Sequence, residues 1–267
     1  MSRFFLVFGE NGSGKTTFAL TGDKPINYYE WDSGSWERAA TSMNLGEGDV
    51  QVRQYYAPLT SLLDPGRVSV GDRGGIAPAT AHVLEGWNDL FWGFVKDYLG
   101  DLKGAGYPVI DTSTKLWLAV RQAFLEQVQQ AAGPERERLN ALQYTEPNAR
   151  MSQIVEAAKA RGKDLVMLAH EGEVYLNDKP TGILKPDGFK ELPNMADCTL
   201  RFSLRNKKPL AVIYKAGTGG LELVGREIEE PTLPNVNALL DAAIKLRRAG
   251  MPLPGSNDDL LELAAAL

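Results

Sequence analysis

Apolar positions along this chain alternate between short dense runs and longer spaced stripes. Phe4-Phe5-Leu6-Val7-Phe8 is an unbroken run of strand length, and Thr17-Phe18-Ala19-Leu20 opens a helical stretch. Pro25 to Asp32 predicts a second strand, Trp36 to about Ser42 a short helix, and the alternating Val50 to Tyr56 a third strand. Residues 57–80 are rich in Pro, Gly and Asp without a period and read as an irregular excursion. Helical spacing returns at Leu84, Trp87, Leu90, Phe91, Phe94, Val95 and Tyr98, a stripe that fits core packing better than base stacking. A strand over Tyr107 to Thr112 leads into a helix from about Thr114 to Ala132, and another helix spans about Pro147 to Ala160. Asp164 to His170 is almost continuously apolar, as in a parallel strand buried on both faces. Residues 171–195 read as a long loop, and Cys198 to Leu204 and Leu210 to Lys215 as two strands joined by a hairpin-like turn. A helix from about Val236 to Ala249 and a short acidic helix from Asp258 close the chain.

Strands alternating with helices predict an α/β fold. The sheet is expected to be mostly parallel, with helices on both faces and an antiparallel strand pair near the C-terminal end. The expected organisation is a core over residues 1–230 and a C-terminal helical extension over 231–267.

Composition narrows the classes. The chain has 267 residues, 43% hydrophobic and 24% charged, enough for one large core. No window is apolar enough for a membrane helix, and the N-terminal run passes straight into a glycine-rich segment rather than a cleavage site. A single cysteine, Cys198, excludes a disulfide framework and suits a reducing cytoplasm. The net charge of −5 gives no global support for a DNA-coating protein.

The sharpest chemistry lies in Gly9-Glu10-Asn11-Gly12-Ser13-Gly14-Lys15-Thr16-Thr17, a complete G-x-x-x-x-G-K-T phosphate loop between a strand and a helix. Its glycines let successive amides turn around an anion, with the start of the helix behind them. Lys15 is expected on the β- and γ-phosphates of ATP, and the Thr16 hydroxyl on Mg²⁺. Val109-Ile110-Asp111-Thr112-Ser113 delivers Asp111 at a strand end, where it joins the Mg²⁺ shell or caps the next helix. Glu30 and Asp32 end the second strand on one face, and either can orient an attacking water, with Asp32 preferred. His170 ends a strand at the same edge and is placed to sense the γ-phosphate. Lys207, Lys208 and Lys215, with Arg201 and Arg205, make a basic hairpin. Solvated surface, a DNA-backbone contact and a cation offered to a neighbouring subunit's γ-phosphate all fit it, and Lys215 is best placed for the third. His82 has no partner pattern.

Together the loop, Glu30-x-Asp32, Val-Ile-Asp-Thr-Ser, Leu168-Ala169-His170-Glu171 and the basic hairpin resemble the RecA-like ATPase core over about residues 3–220. The pattern looks most like the compact AAA-family nucleotide-binding ATPases of bacteriophages, some of which are single-strand annealing recombinases. The resemblance implies an Mg²⁺-dependent ATPase working on single-stranded DNA in a bacterial cytoplasm, as a homo-oligomer with ATP sites between subunits. It places water activation on Asp32 or Glu30, coupling on His170, DNA contact in residues 171–195 and a trans-acting cation at Lys215, with Lys207 or Lys208 as alternatives. Tyr175 and Phe189 are the aromatics available there for bases, although acids outnumber bases in that segment. The sequence starts at the first core strand, so association is expected through another surface, such as Leu260-Leu261-x-Leu263. Two rival readings remain: a small-molecule or nucleoside kinase with Arg67 and Arg73 in a lid, and a nucleotide-gated interaction protein.

Overall fold

Phe4–Gly9 (β1) is buried along its whole length, which is why its sequence is continuously apolar rather than alternating. In this computed structural model, which describes residues 2–32, 34–58, 68–70, 76–78, 84–133, 136, 138–217 and 220–267, β1 lies inside an eight-stranded sheet. The chain continues through Lys15–Ala19 (α1), Ile26–Glu30 (β2), Ser35–Met43 (α2), Val50–Gln54 (β3), Val68–Val70 (β4), Ile76–Pro78 (β5), Trp87–Asp101 (α3) and Tyr107–Asp111 (β6). Next come Ser113–Ala132 (α4), Thr145–Ala160 (α5), Leu165–Ala169 (β7), Glu171–Leu176 (β8), Lys179–Pro186 (β9) and Leu192–Met195 (α6). Cys198–Arg205 (β10), Lys208–Ala216 (β11), Glu227–Glu229 (β12), Leu233–Arg248 (α7) and Asn257–Ala265 (α8) complete it.

The strand order is β12-β11-β10-β1-β7-β6-β2-β3. From β10 to β3 every pairing is parallel, while β10–β11 and β11–β12 are antiparallel. This is the mostly parallel α/β architecture, with an antiparallel pair near the C-terminal end, that the sequence predicts. Alternate residues of β1 feed two separate cores. Phe5 and Val7 pack with α1, α7 and α8, whereas Phe4, Leu6 and Phe8 pack with α3, α4 and α5. β7 separates β1 from β6, so the phosphate-loop strand and the Asp111 strand flank the strand that leads to His170. Helix starts carry local signals: Thr112, Thr232 and Ser256 accept from the amides of Lys115, Asn235 and Asp259.

Several boundaries differ from the sequence expectation. Residues 171–195 are not a loop: β8 and β9 form an antiparallel hairpin, followed by α6. Their alternation is weak because most of these side chains are exposed, so no buried face imprints a period. β12, three residues long, gave no detectable pattern. In the irregular stretch, 68–70 and 76–78 pair as β4 and β5; most of the remainder, including Arg67, Arg73 and His82, lies outside the described residues, as does much of the 134–138 connection. Among the described residues, no helix is long and apolar enough to cross a membrane.

The α7 helix buries Leu233, Val236, Leu239, Leu240, Ala243 and Leu246 in the same cluster as β1 and β10. Leu240→Ala is therefore expected to cost about 2–5 kcal/mol, measured by urea unfolding. Burial pushes the Cys198 thiol up to about 12. Iodoacetamide at mildly alkaline pH should leave the folded protein unlabelled and modify Cys198 only after denaturant is added.

Candidate functional site

The glycine-rich loop from Gly9 to Thr17 is shaped by two glycines that tolerate no side chain. Gly9 has φ 142°, and a Cβ there would stand 2.0 Å from the Phe202 carbonyl oxygen of β10. Gly14, with φ 93°, directly precedes α1, and a Cβ there would meet Pro209 at 2.9 Å. The start of β11 thus braces the loop from below. Ser13 Oγ donates back to Glu10 O at 2.7 Å, closing the turn. Lys15 Nζ donates to Gly9 O at 2.8 Å and Glu10 O at 2.7 Å, which folds the ammonium over the mouth of the loop. Burial lowers the Lys15 pKa, while Asp111, Glu171 and Glu10 oppose the shift.

Across from the loop, Asp111 is only 4% exposed at the end of β6. Its Oδ2 accepts from three hydroxyls: Thr16 at 3.0 Å, Ser35 at 2.8 Å and Tyr28. Burial raises the Asp111 pKa, and these three donors pull it back. The amides of Trp31 (2.6 Å) and Asp32 (3.3 Å) both donate to the Asp111 carbonyl, which bolts the turn after β2 to the end of β6. That turn presents the Asp32 carboxylate to His170, with Oδ2 and Nε2 2.9 Å apart. A carboxylate only accepts, so Nε2 carries the proton in this contact. The loop residues from Asn11 to Thr17, with Asp32, Asp111, Thr112, His170 and one face of α2, enclose a cleft of about 460 Å³.

His170 is also the root of the β8–β9 hairpin. Its amide donates to Thr114 Oγ1 at 3.1 Å, Thr114 Oγ1 donates to Asp187 O at 2.9 Å, and the Asp187 amide donates to His170 O at 2.9 Å. Both ends of the hairpin are thereby clamped to the strand end that faces the cleft.

The structure brings Gly9 to Thr17, Asp32, Asp111 and His170 together. Two sequence candidates stand elsewhere. Glu30 is fully buried, and its carboxylate accepts from the Gly34 amide (2.9 Å), the Ser35 amide (3.2 Å) and Gln54 Nε2 (2.8 Å). With its oxygens engaged below the cleft floor, Glu30 holds the start of α2 rather than a water. Lys215 pairs with Thr199 near the beginning of β10, at the sheet edge away from the loop. Its ammonium donates to Pro193 O, Asn194 O and Ala196 O at 2.7–2.9 Å, so it caps α6 and is not free to reach a phosphate. The basic hairpin is largely paired: Arg201 with Glu171, Arg205 with Glu227 and Lys208 with Glu230. Phe189 is 5% exposed and packs on Trp117, which removes it as a stacking platform, whereas Tyr175 is 63% exposed.

Tyr28, Ser35 and Arg38 belong to no recognisable motif in the sequence. Ser35, Arg38, Ala39 and Ser42 do carry a readable signal, the i, i+3, i+4, i+7 spacing of one helix face, but it is polar and mimics a solvated surface.

No family model matches this sequence, and no curated protein matches it. Solved structures do. The KaiC-like protein PH0186 from the hyperthermophilic archaeon Pyrococcus horikoshii OT3 is 12% identical over 80% of this chain and 79% of that one, with a TM-score of 0.43. The RadB recombinase is 16% identical over 85% of this chain and 86% of that one, with a TM-score of 0.46. Both likenesses are distant and concern the fold.

Lys215→Met removes the donor shared by three carbonyls and should lower stability by roughly 1–3 kcal/mol in a denaturant titration. Any nucleotide turnover per folded molecule should stay at the wild-type level, the opposite of what a γ-phosphate contact would give.

Proposed function

We propose that this chain is an Mg²⁺-dependent ATPase that couples hydrolysis to single-stranded DNA through the β8–β9 hairpin. The observation that carries the reading is the convergence, in one cleft, of a formed phosphate loop with the Asp32–His170 pair at 2.9 Å.

The donor set suits Mg²⁺. Among the described residues no group of three or more His, Cys, Asp or Glu gathers as a metal cage, and Mg²⁺ with a phosphate substrate needs only one or two protein oxygens. Thr16 and Asp111, already 3.0 Å apart, would hold it. Bound there, Mg²⁺ supplies neutralisation of charge on the phosphate oxygens. The loop amides bind the phosphates, and Lys15 leaves the Gly9 and Glu10 carbonyls to reach them. Asp32, held by His170 Nε2–H, orients a water toward the γ-phosphorus with its remaining acceptor capacity. The water oxygen bonds to phosphorus, the bond to the β–γ bridging oxygen breaks, and the water proton passes to Asp32 and on to solvent, leaving ADP and inorganic phosphate. Closure of the cleft on the γ-phosphate moves His170, and its clamp to Thr114 and Asp187 passes the change to the hairpin.

Exposed Tyr175, Lys179 and Lys185 on that hairpin support single-stranded DNA as its partner. The phage setting, the annealing or recombination role, the cytoplasmic location and self-association of subunits rest on the motif resemblance and form part of this proposal. The lid residues of the kinase reading, Arg67 and Arg73, lie outside the described residues.

The test is Mg²⁺-dependent ATP hydrolysis with and without single-stranded DNA, with Lys15→Ala as the blank. Hydrolysis stimulated by DNA and absent in the blank is the expected result; hydrolysis indifferent to DNA would remove the DNA partner, and no hydrolysis would remove the enzyme. Asp32→Asn should lower kcat by about 10²–10⁴-fold.

A further inference from the structure

Lys215 is held at the far edge of the sheet, away from the cleft. Among the described residues lining the cleft, Lys15 and Arg38 are the lysine and arginine side chains, alongside the carboxylates of Asp32 and Asp111. One lysine offsets little of the charge of a triphosphate bound beside two carboxylates.

Arg38 is positioned by the start of α2. Glu30 fixes the Gly34 and Ser35 amides, and Ser35 Oγ reaches Asp111 Oδ2 at 2.8 Å, so the first turn of α2 sits against the carboxylate proposed to hold Mg²⁺. Arg38 lies three residues on, a rise of about 4.5 Å and a little under one turn, along the same stripe as Ser35, Ala39 and Ser42. Its side chain folds back: Nη1 stands 3.7 Å from where a Cβ on Gly34 would be, beside the turn that carries Asp32. Among the described residues its guanidinium has no hydrogen bond and no ion pair, although it offers five donors in a fork that matches phosphate oxygens. An exposed arginine without a partner, on the wall of a phosphate cleft and next to the water-orienting carboxylate, is a group waiting for an anion.

We propose that Arg38 is the catalytic arginine of this site, supplied in cis: it contacts the γ-phosphate, and each subunit hydrolyses ATP without a residue from a neighbour. This rests on the ATPase reading above and departs from the expectation that ATP sites lie between subunits. Because α2 is anchored through Ser35 to Asp111, the guanidinium and the metal-holding carboxylate would approach the same phosphate from adjoining walls.

The experiment compares wild type, Arg38→Ala and Arg38→Lys for kcat, for the affinity of a fluorescent ADP, and for trapping of ADP with aluminium fluoride, and follows wild-type specific activity on hundredfold dilution alongside light scattering. Arg38→Ala is expected to lose about 10³-fold in kcat and to fail to trap the fluoride complex while binding ADP as wild type does. Arg38→Lys should recover only part of the rate, because the fork is lost. Wild-type specific activity should be unchanged on dilution. An Arg38→Ala enzyme with normal kcat and normal trapping overturns the assignment while leaving the ATPase reading intact, as does one whose only defect is ADP affinity. Specific activity that falls as oligomers dissociate overturns the in-cis site. If wild type binds ADP but hydrolyses nothing, the ATPase reading fails and this assignment falls with it. Thermal unfolding of both variants checks folding, which an exposed, unpartnered side chain should not disturb.

Discussion

A carboxylate sealed from water must be hydrogen-bonded or it destabilises the fold, and Asp111 meets that demand with hydroxyls from three different elements. Tyr28 comes from β2, Thr16 from α1 and Ser35 from α2, all on the same oxygen. The loop helix, the second strand and the second helix are therefore registered against one atom at the end of β6. The backbone of the same residue takes the amides of Trp31 and Asp32, which fixes the turn that displays the Asp32 side chain. This point of attachment, together with the insertion of β7 between β1 and β6, sets how α1, the turn after β2 and the start of α2 stand to one another.

The two charged residues that stand outside the cleft show a common logic. Glu30 and Lys215 each satisfy backbone groups at the end of a helix, amides before α2 and carbonyls around α6, where the helix itself leaves donors or acceptors without partners. A charge near a strand end looks the same in sequence whether it faces a substrate or a helix terminus. What separates them is burial and a hydrogen-bond inventory: Glu30 is fully buried with both oxygens engaged and Lys215 uses all three donors on protein carbonyls, whereas Asp32 is partly exposed and retains acceptor capacity.

The central strands were legible because a parallel strand covered on both faces must be apolar throughout, so Phe4 to Phe8 and Leu165 to Ala169 announce themselves. The need for glycine at positions 9 and 14 was legible because backbone and Pro209 leave no room there for a Cβ. The hairpin at 171–186 was not, since its strands bury no face and leave no alternation. The Asp111 node was half legible: Thr16 and Asp111 belong to recognisable motifs, but Tyr28 and Ser35 join them only through the parallel register of β2 with β6, a non-local pairing that no local pattern encodes. Arg38 was hidden for a related reason, because a polar stripe on a short helix reads as surface until the opposing wall is known.

The close contacts beneath the loop bear on protein engineering. Gly9 rests on the backbone of Phe202 in β10, and Gly14 rests on Pro209 at the start of β11. The nine-residue motif is therefore not a portable cassette. Transplanted into another α/β scaffold, it would lose the floor that shapes it unless the β10–β11 ribbon came along, so the smallest transferable module is a discontinuous one, drawn from two stretches of chain nearly two hundred residues apart.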